Sequence, residues 1–524
     1  MPNLSGIWTV TQQMQAKGQS IWPAVPGAPT SVTGTAGNAQ VSVAFTAPSD
    51  AGYPATITSY TATSSPGGFT ASGSSSPLVI TGLTNGTAYT FTVTATNATG
   101  TGPASSPSGS VTPVAPAWLA TFGDAASSGG GSDSPYGTYV DSSGNVYIVG
   151  EAVAASTQNF EVSKYNAAGV IQWQYRYGSS SGLAYAIAAD SSGDLYVSGE
   201  VGGTPRLYKL NSSGAIQWQK SLNSPDGPRG IQVKSNGNII LQFNGSTPYP
   251  MIAELNSTGS TVNWVRQTSA SGQSSPYNCV VVASSGNIYV AGSESAGGSS
   301  ANWRVIKYDS SGTIQWKRRT TYNNNSSYVS GIAIDSSENV YITGTTAGTP
   351  NAALHKLDSS GNFQWAVTFA NVSGGKVQVD STGSYVYVTG VNNYAQFIAK
   401  FNSSGTVQYQ RTMTLTYSGN VQTNSYSNIV VTSDFMYTAI AGYLYGGPGG
   451  NEYLIEKLPL DGSKTGTYTV GILTAAYAAS SITLGTWSDN WTTASYTDTA
   501  GSLSTSGTGD SATATSITSS TTTL

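Results

Sequence analysis

One short phrase recurs along this chain and constrains its fold more than anything else. It reads YVDSSGNVYIVG at 139–150, AADSSGDLYVSG at 188–199, QVKSNGNIILQF at 232–243 and VVASSGNIYVAG at 281–292. It continues as AIDSSENVYITG at 333–344, QVDSTGSYVYVTG at 378–390 and, degraded, IVVTSDFMYTAI at 429–440, which makes seven copies. A second phrase of the form VSKYNAAGVIQWQ follows each copy. Its tryptophan position is filled by Trp173, Trp218, Trp264, Trp316, Trp365, Tyr409 and, for the seventh, Tyr468, at spacings of 45, 46, 52, 49, 44 and 59 residues. A unit this short buries its apolar face only against its neighbours, so the chain must stack the units.

Each phrase reads as a hairpin. In DSSGN the chain reverses, with Asp141 capping the turn and Gly144 taking the left-handed conformation. Val-x-Ile-x then alternates into the stack, and the tryptophan supplies a flat apolar body for the gap between units. Two hairpins per period of about 40–50 residues mean a four-stranded blade, and seven periods mean seven blades of a β-propeller. The phrases resemble the bacterial β-propeller repeat family, which implies that fold for residues 115–475. The segment WLATFG at 118–123 copies the stretch after each tryptophan with no hairpin before it. It is expected to complete the last blade and close the ring; the alternative is an edge strand on the first blade, with 464–472 filling the last.

Between 26 and 114 a different pattern holds. Val41, Val43 and Phe45 alternate, as do Tyr89, Phe91, Val93 and Ala95, and Asn85-Gly86 marks a turn after Leu83. These pieces, with the leading prolines, Tyr60 and the Leu83-to-Tyr89 spacing of a tyrosine corner, resemble a fibronectin type III domain. The resemblance implies a sandwich, here with phenylalanine at 45 where the family usually has tryptophan. The fold class is therefore all-β: a sandwich followed by a propeller, with an N-terminal segment at 1–25 and a Ser/Thr-rich tail at 476–524.

Composition agrees and removes several functions. Charged residues are 8% of the chain, against about 25% usually, and 62 of 524 residues are glycine. A net charge of −4 offers no basic stripe for nucleic acid. One histidine, His355, and one cysteine, Cys279, make neither a zinc site nor a disulfide, and both read as core residues. Asp141, Asp190, Asp335 and Asp380 recur in the turns, but one carboxylate per loop is a hairpin cap rather than a calcium loop. No cofactor and no metal are expected.

The hairpin turns keep their length while the connections between hairpins vary, and propeller topology puts all those connections on one face. They are rich in Asn, Ser and Tyr, with Tyr277, Tyr322, Tyr328, Tyr417 and Tyr426 as candidate ligand contacts for sugars or protein surfaces. Glu151, Glu200 and Glu294, read as following the glycine that ends the second strand, could ring the loop face as carboxylates and are the only foothold for glycoside chemistry; solvated loop acids are the plainer reading.

The tail from 476 carries too little apolar surface to fold alone, which leaves a disordered segment or an extended strand against a partner. The opening stretch SGIWTVTQQMQAKGQSIWP, residues 5–23, lacks the apolar run of a secretory signal or membrane span. A short helix from about Thr9 to Lys17 is expected there. The stretch resembles the N-terminal segments of structural proteins from tailed phages, notably those of marine cyanobacteria. That resemblance implies docking to other virion proteins through Ile7, Trp8, Met14, Ile21 and Trp22, with folding in the host cytoplasm and release by lysis. The sequence-based expectation is thus a non-enzymatic virion appendage, in multiple copies on tail, fibre or head, that contacts a host glycan or protein. The alternatives are a bacterial surface adhesin or lectin and, third, a carbohydrate-active propeller enzyme.

Overall fold

The computed structural model describes residues 11–12, 15, 23–85, 87–113, 117–122, 134–154, 157–177, 181–224, 226–243, 251–268, 279–295, 301–320, 327–346, 351–392, 395–416, 422–443, 451–462, 464, 466–470, 473–479, 484–486, 492–493, 498–500, 505–507, 512–514 and 520–523. The chain divides into two compact units, Met1–Pro116 and Ala117–Leu524. In the N-terminal stretch, Thr11, Gln12 and Gln15 are helical. The proposed docking residues Ile7, Trp8, Met14, Ile21 and Trp22 lie outside the described residues.

The first unit is a two-sheet sandwich. Strands Thr30–Gly37, Gln40–Thr46 and Leu78–Thr81 form one sheet, and Ile57–Ser65, Thr70–Gly73, Thr90–Asn97 and Gly100–Thr101 the other. The alternating residues of both sheets meet in one core, in which Phe45 packs 4.8 Å from Tyr60. The Tyr89 hydroxyl accepts a hydrogen bond from Thr84 N at 3.1 Å, the tyrosine corner that the spacing predicted.

The second unit is a ring of blades, each an antiparallel sheet. Blade 1 runs from its inner strand Ser134–Val140 through Val146–Ala154 and Thr157–Tyr165 to the outer strand Ile171–Tyr177. Blades 2 to 6 repeat this order over 182–222, 228–268, 280–319, 329–369 and 372–416. Blade 7 takes three strands from 422–459 and its fourth from Trp118–Phe122, which pairs with Asn451–Pro459. Trp118 stands opposite Lys457 as Trp173 stands opposite Lys164, so Trp118 holds the seventh tryptophan position. Tyr468, assigned that position from spacing, lies instead in Gly466–Val470, outside blade 6.

The second strands differ from the alternating pattern expected. Val146, Tyr147, Ile148 and Val149 are all buried, because blades pack face to face and cover both sides of the strand.

The described parts of the tail pair with the outer strands of this chain's own blades. Leu473–Ala479 pairs with the outer strand of blade 6, Leu484–Thr486 with that of blade 5 and Thr492–Thr493 with that of blade 4. Asp498–Ala500, Thr505–Gly507 and Ala512–Ala514 follow on blades 3, 2 and 1, and Ser520–Thr523 ends on Trp118–Phe122 of blade 7. The chain thus travels backwards around the perimeter and gives each blade a further strand. An uncovered outer strand presents a row of unpaired N–H and C=O groups, and the short Thr/Ser runs satisfy part of it. Removing residues 480–524 is expected to leave the ring folded, lower its thermal midpoint by ~5 °C or more and make its mass concentration-dependent. Thermal melting and light scattering check this; a truncated chain as stable and monomeric as the parent overturns it.

A latch joins neighbouring blades. In blades 3 to 6 the glycine of the second-hairpin turn packs on the tryptophan of the preceding blade: a Cβ at Gly259 would sit 2.8 Å from Trp218, at Gly312 2.7 Å from Trp264, at Gly361 3.0 Å from Trp316 and at Gly405 3.0 Å from Trp365. The Trp316 and Trp365 indoles donate to Ser359 O and Ser403 O of the next turn, at 3.0 and 3.2 Å. Lys356 Nζ reaches the same Ser403 O, and Lys457 Nζ reaches Ala167 O at 3.1 Å, carrying the latch across the closing seam from blade 7 to blade 1.

Blades 3 and 4 depart from the consensus and compensate. In blade 3 the turn aspartate is replaced by Lys234 and the third-strand lysine by Glu254. The swapped pair still meets at 2.8 Å, and Lys234 Nζ donates to Ser310 O. In blade 4 the aspartate is Ala283, and the carboxylate comes from Glu338 in the next blade's turn, at a position where other turns carry glycine and where its φ is 60°. Glu338 accepts from Ser285, Asn287, Tyr289 and Lys307. Burial alone would raise its pKa, but these hydrogen bonds outweigh it and hold the carboxyl at about 2. Restoring the consensus with Glu338→Gly would relieve about 1–2 kcal/mol of left-handed strain yet strip charged hydrogen bonds worth about 1.5–3 kcal/mol each. The variant is expected to lose about 2–4 kcal/mol in chemical denaturation; a stabilised variant overturns the assignment.

Candidate functional site

Inner strands run from the face of variable connections towards the face of fixed hairpin turns. Seven of them surround a central channel of about 310 Å3, lined by Tyr136, Ile187, Gln232, Val280, Gly331, Lys376 and Asn428 among others. Asn428 Nδ2 donates to Tyr136 O at 2.7 Å across the seam between blades 7 and 1.

The channel mouth on the variable face is shaped by bulges. In blades 1, 2, 3 and 5 the inner strand skips one residue in its pairing, and the skipped residues are Tyr136, Tyr185, Arg229 and Ser330. A bulge re-aims the extra side chain and pushes the neighbouring carbonyl towards the second strand. This explains the glycine that ends the repeat phrase. A Cβ at Gly150, Gly199 or Gly344 would sit 2.1, 2.0 or 2.1 Å from the carbonyl oxygen of Ser134, Leu183 or Tyr328.

Tyr136, Tyr185 and Arg229 therefore stand at equivalent places on three adjacent blades. The Tyr136 and Tyr185 rings lie 5.9 Å apart, and the Arg229 guanidinium lies flat on Tyr185, 3.4 Å from the ring centre. Each tyrosine hydroxyl donates to the glutamate after the glycine: Tyr136 to Glu151 at 3.0 Å and Tyr185 to Glu200 at 2.6 Å. Gln158 Nε2 also donates to Glu151 at 2.8 Å. Burial raises the Glu151 pKa, which those hydrogen bonds partly offset. Burial, reinforced by Glu151, also pushes the Tyr136 hydroxyl well above its ordinary value.

Glu151 is not the solvated loop acid expected, since it is only 7% exposed. Only two of the three follow their glycine directly: Ser293 follows Gly292 in blade 4, its Oγ accepting from Val329 N, and Glu294 lies one residue further along Ile288–Ser295. Of the tyrosines assigned to the ligand face, Tyr328 is exposed, with its backbone tied to Thr345. Tyr277, Tyr322 and Tyr417 lie outside the described residues, and Tyr426 is described only as backbone within Gln422–Val431. The bulged positions escaped sequence reading because a bulge leaves no mark in hydrophobic alternation; the glycine opposite was its trace in blades 1, 2 and 5, and blade 3 has Phe243 there.

The turn aspartates act as caps. Asp141 Oδ1 accepts from Ser143 N and Asn145 N, both at 2.9 Å, and Gly144 has φ 77°. His355 is fully buried, 4.7 Å from the Trp303 ring, and burial lowers its pKa to about 3. Because the folded pKa lies below the ordinary 6.5, the unfolded chain binds the extra proton first, and stability falls as pH drops from 6.5 towards 3. Between pH 7.5 and 5 this residue is expected to cost about 2 kcal/mol. Denaturation of His355→Leu at both pH values should show that much less pH dependence, and an unchanged slope would count against it.

Residues 27–111 match the fibronectin type III domain model and 315–350 the β-propeller repeat model. No curated protein is similar to the chain in sequence. Among solved structures, Sqt1 from Chaetomium thermophilum is 10% identical with a TM-score of 0.39, covering 63% of this chain and 97% of that one. A polysaccharide lyase is 10% identical at a TM-score of 0.41, covering 62% and 90%. A quinoprotein alcohol dehydrogenase-like protein from Bacteroides thetaiotaomicron is 13% identical at 0.37, covering 74% and 94%. The chain thus joins a fibronectin type III domain to a seven-bladed β-propeller whose perimeter its own tail covers.

Proposed function

We propose that the protein is a non-enzymatic binding module on a phage virion. The observation that carries the binding reading is the division of the ring into two faces. The hairpin turns of one face are spent on joining blades, while the other face gathers the variable connections and the polar channel mouth. The virion reading rests on the opening stretch, whose resemblance to phage docking segments supplies other virion proteins as partners. Multiple copies on tail, fibre or head would then present the loop face to a glycan or protein of the host surface. Glu151 and Glu200 are engaged by tyrosine hydroxyls, which suits a binding role better than glycoside hydrolysis.

Proteomics of purified particles should detect the chain, and deletion of residues 1–24 should leave both folded units intact while abolishing incorporation. Absence from particles would favour the rival reading, a bacterial surface adhesin or lectin, and normal incorporation of the deletion would remove the docking role. Replacing Glu151, Glu200 and Glu294 together with glutamine should change no glycan-hydrolysing activity; a loss of hydrolysis would restore the enzyme reading.

A further inference from the structure

Arg229 has a geometry that the ring itself does not require. It makes no ion pair among the described residues, and its Nε is buried with no hydrogen-bond partner there. A buried guanidinium donor without an acceptor is costly, and such groups are normally satisfied. Two carboxylates lie close by, yet neither is used to neutralise it: Glu200 takes the Tyr185 hydroxyl and Glu151 takes Tyr136 and Gln158. Stacking on Tyr185 at 3.4 Å holds the planar fork in one orientation before any ligand arrives.

We propose that this mouth is a subsite for an acidic sugar, one carrying a carboxylate and neighbouring hydroxyls, such as a uronic or sialic acid unit. The carboxylate pairs with the Arg229 fork, and the sugar hydroxyls donate to the remaining lone pairs of Glu200 and Glu151. The two glutamates explain why a sugar acid fits better than a bare anion. They repel a free phosphate or sulfate but accept from hydroxyls, so the site asks for one negative charge beside a row of donors. The tyrosines keep both carboxylates in place for that task. The assignment rests on the glycan-binding reading above and gives it a substrate class.

Calorimetric titration of the full-length protein with methyl glucuronide and with the methyl glycoside of N-acetylneuraminic acid tests it, with methyl glucoside, inorganic phosphate and sulfate as the other arms. At least one acidic sugar should bind, and more tightly than all three of those. Arg229→Met should weaken it at least tenfold. Arg229→Lys keeps the charge without the planar fork and should also weaken it, and it covers the case in which the methionine variant fails to fold. The proposal is overturned if neither acidic sugar binds, if phosphate or sulfate binds as well as the sugar, or if a folded Arg229 variant retains full affinity. Particle incorporation is measured separately. Loss of sugar binding with normal incorporation therefore removes this subsite alone, while absence from particles removes the virion reading and leaves the subsite standing.

Discussion

The ring depends on one repeated contact: a tryptophan at the outer edge of one blade lying on the turn glycine of the next, with lysine and indole N–H groups closing on that turn's carbonyls. Each such hydrogen bond contributes only about 1 kcal/mol, and each lysine stacked over a tyrosine, such as Lys356 over Tyr341 at 5.2 Å, about as much again. Repetition makes the sum large, and closure makes it cooperative, because no blade has a free side. The departures follow the same logic. Lys234 with Glu254, and Glu338 reaching back to Lys307, keep a cation and an anion at a seam where the consensus residues are missing. Glu338 even accepts a left-handed backbone to do so.

The same economy shapes the surface. Fixed turns serve the latch and cannot vary without loosening the ring. Variation is confined to the other face, where the bulges of the inner strands bring Tyr136, Tyr185 and Arg229 together. In blades 1, 2 and 5 the glycine of the repeat phrase accommodates that arrangement: a Cβ there would collide with the bulged carbonyl. The structural repeat and the candidate site are thus two consequences of one backbone irregularity.

Much of the fold was legible in the residues. Period, turn glycines and tryptophans announced the blades, and the orphan WLATFG announced closure, because each is a local pattern repeated often enough to exclude chance. Legibility ended where a residue's role depends on another strand. Tyr468 looked like the seventh tryptophan by distance alone, whereas register gives that place to Trp118. The tail looked too polar to fold, which is correct in isolation and irrelevant once seven edge strands await pairing.

By itself the sequence determined the two kinds of module, the number of blades and the turns that cap them, since these follow from periodicity, glycine conformation and short-range hydrogen bonding. Only the tertiary structure decided where the tail lies and which side chains meet at the channel mouth. Backbone pairing is blind to side-chain identity, so a Ser/Thr run carries no address for the edge it will cover. The Arg229–Tyr185 stack brings together residues from adjacent blades, 44 positions apart, through bulges that exist only when two strands are laid side by side.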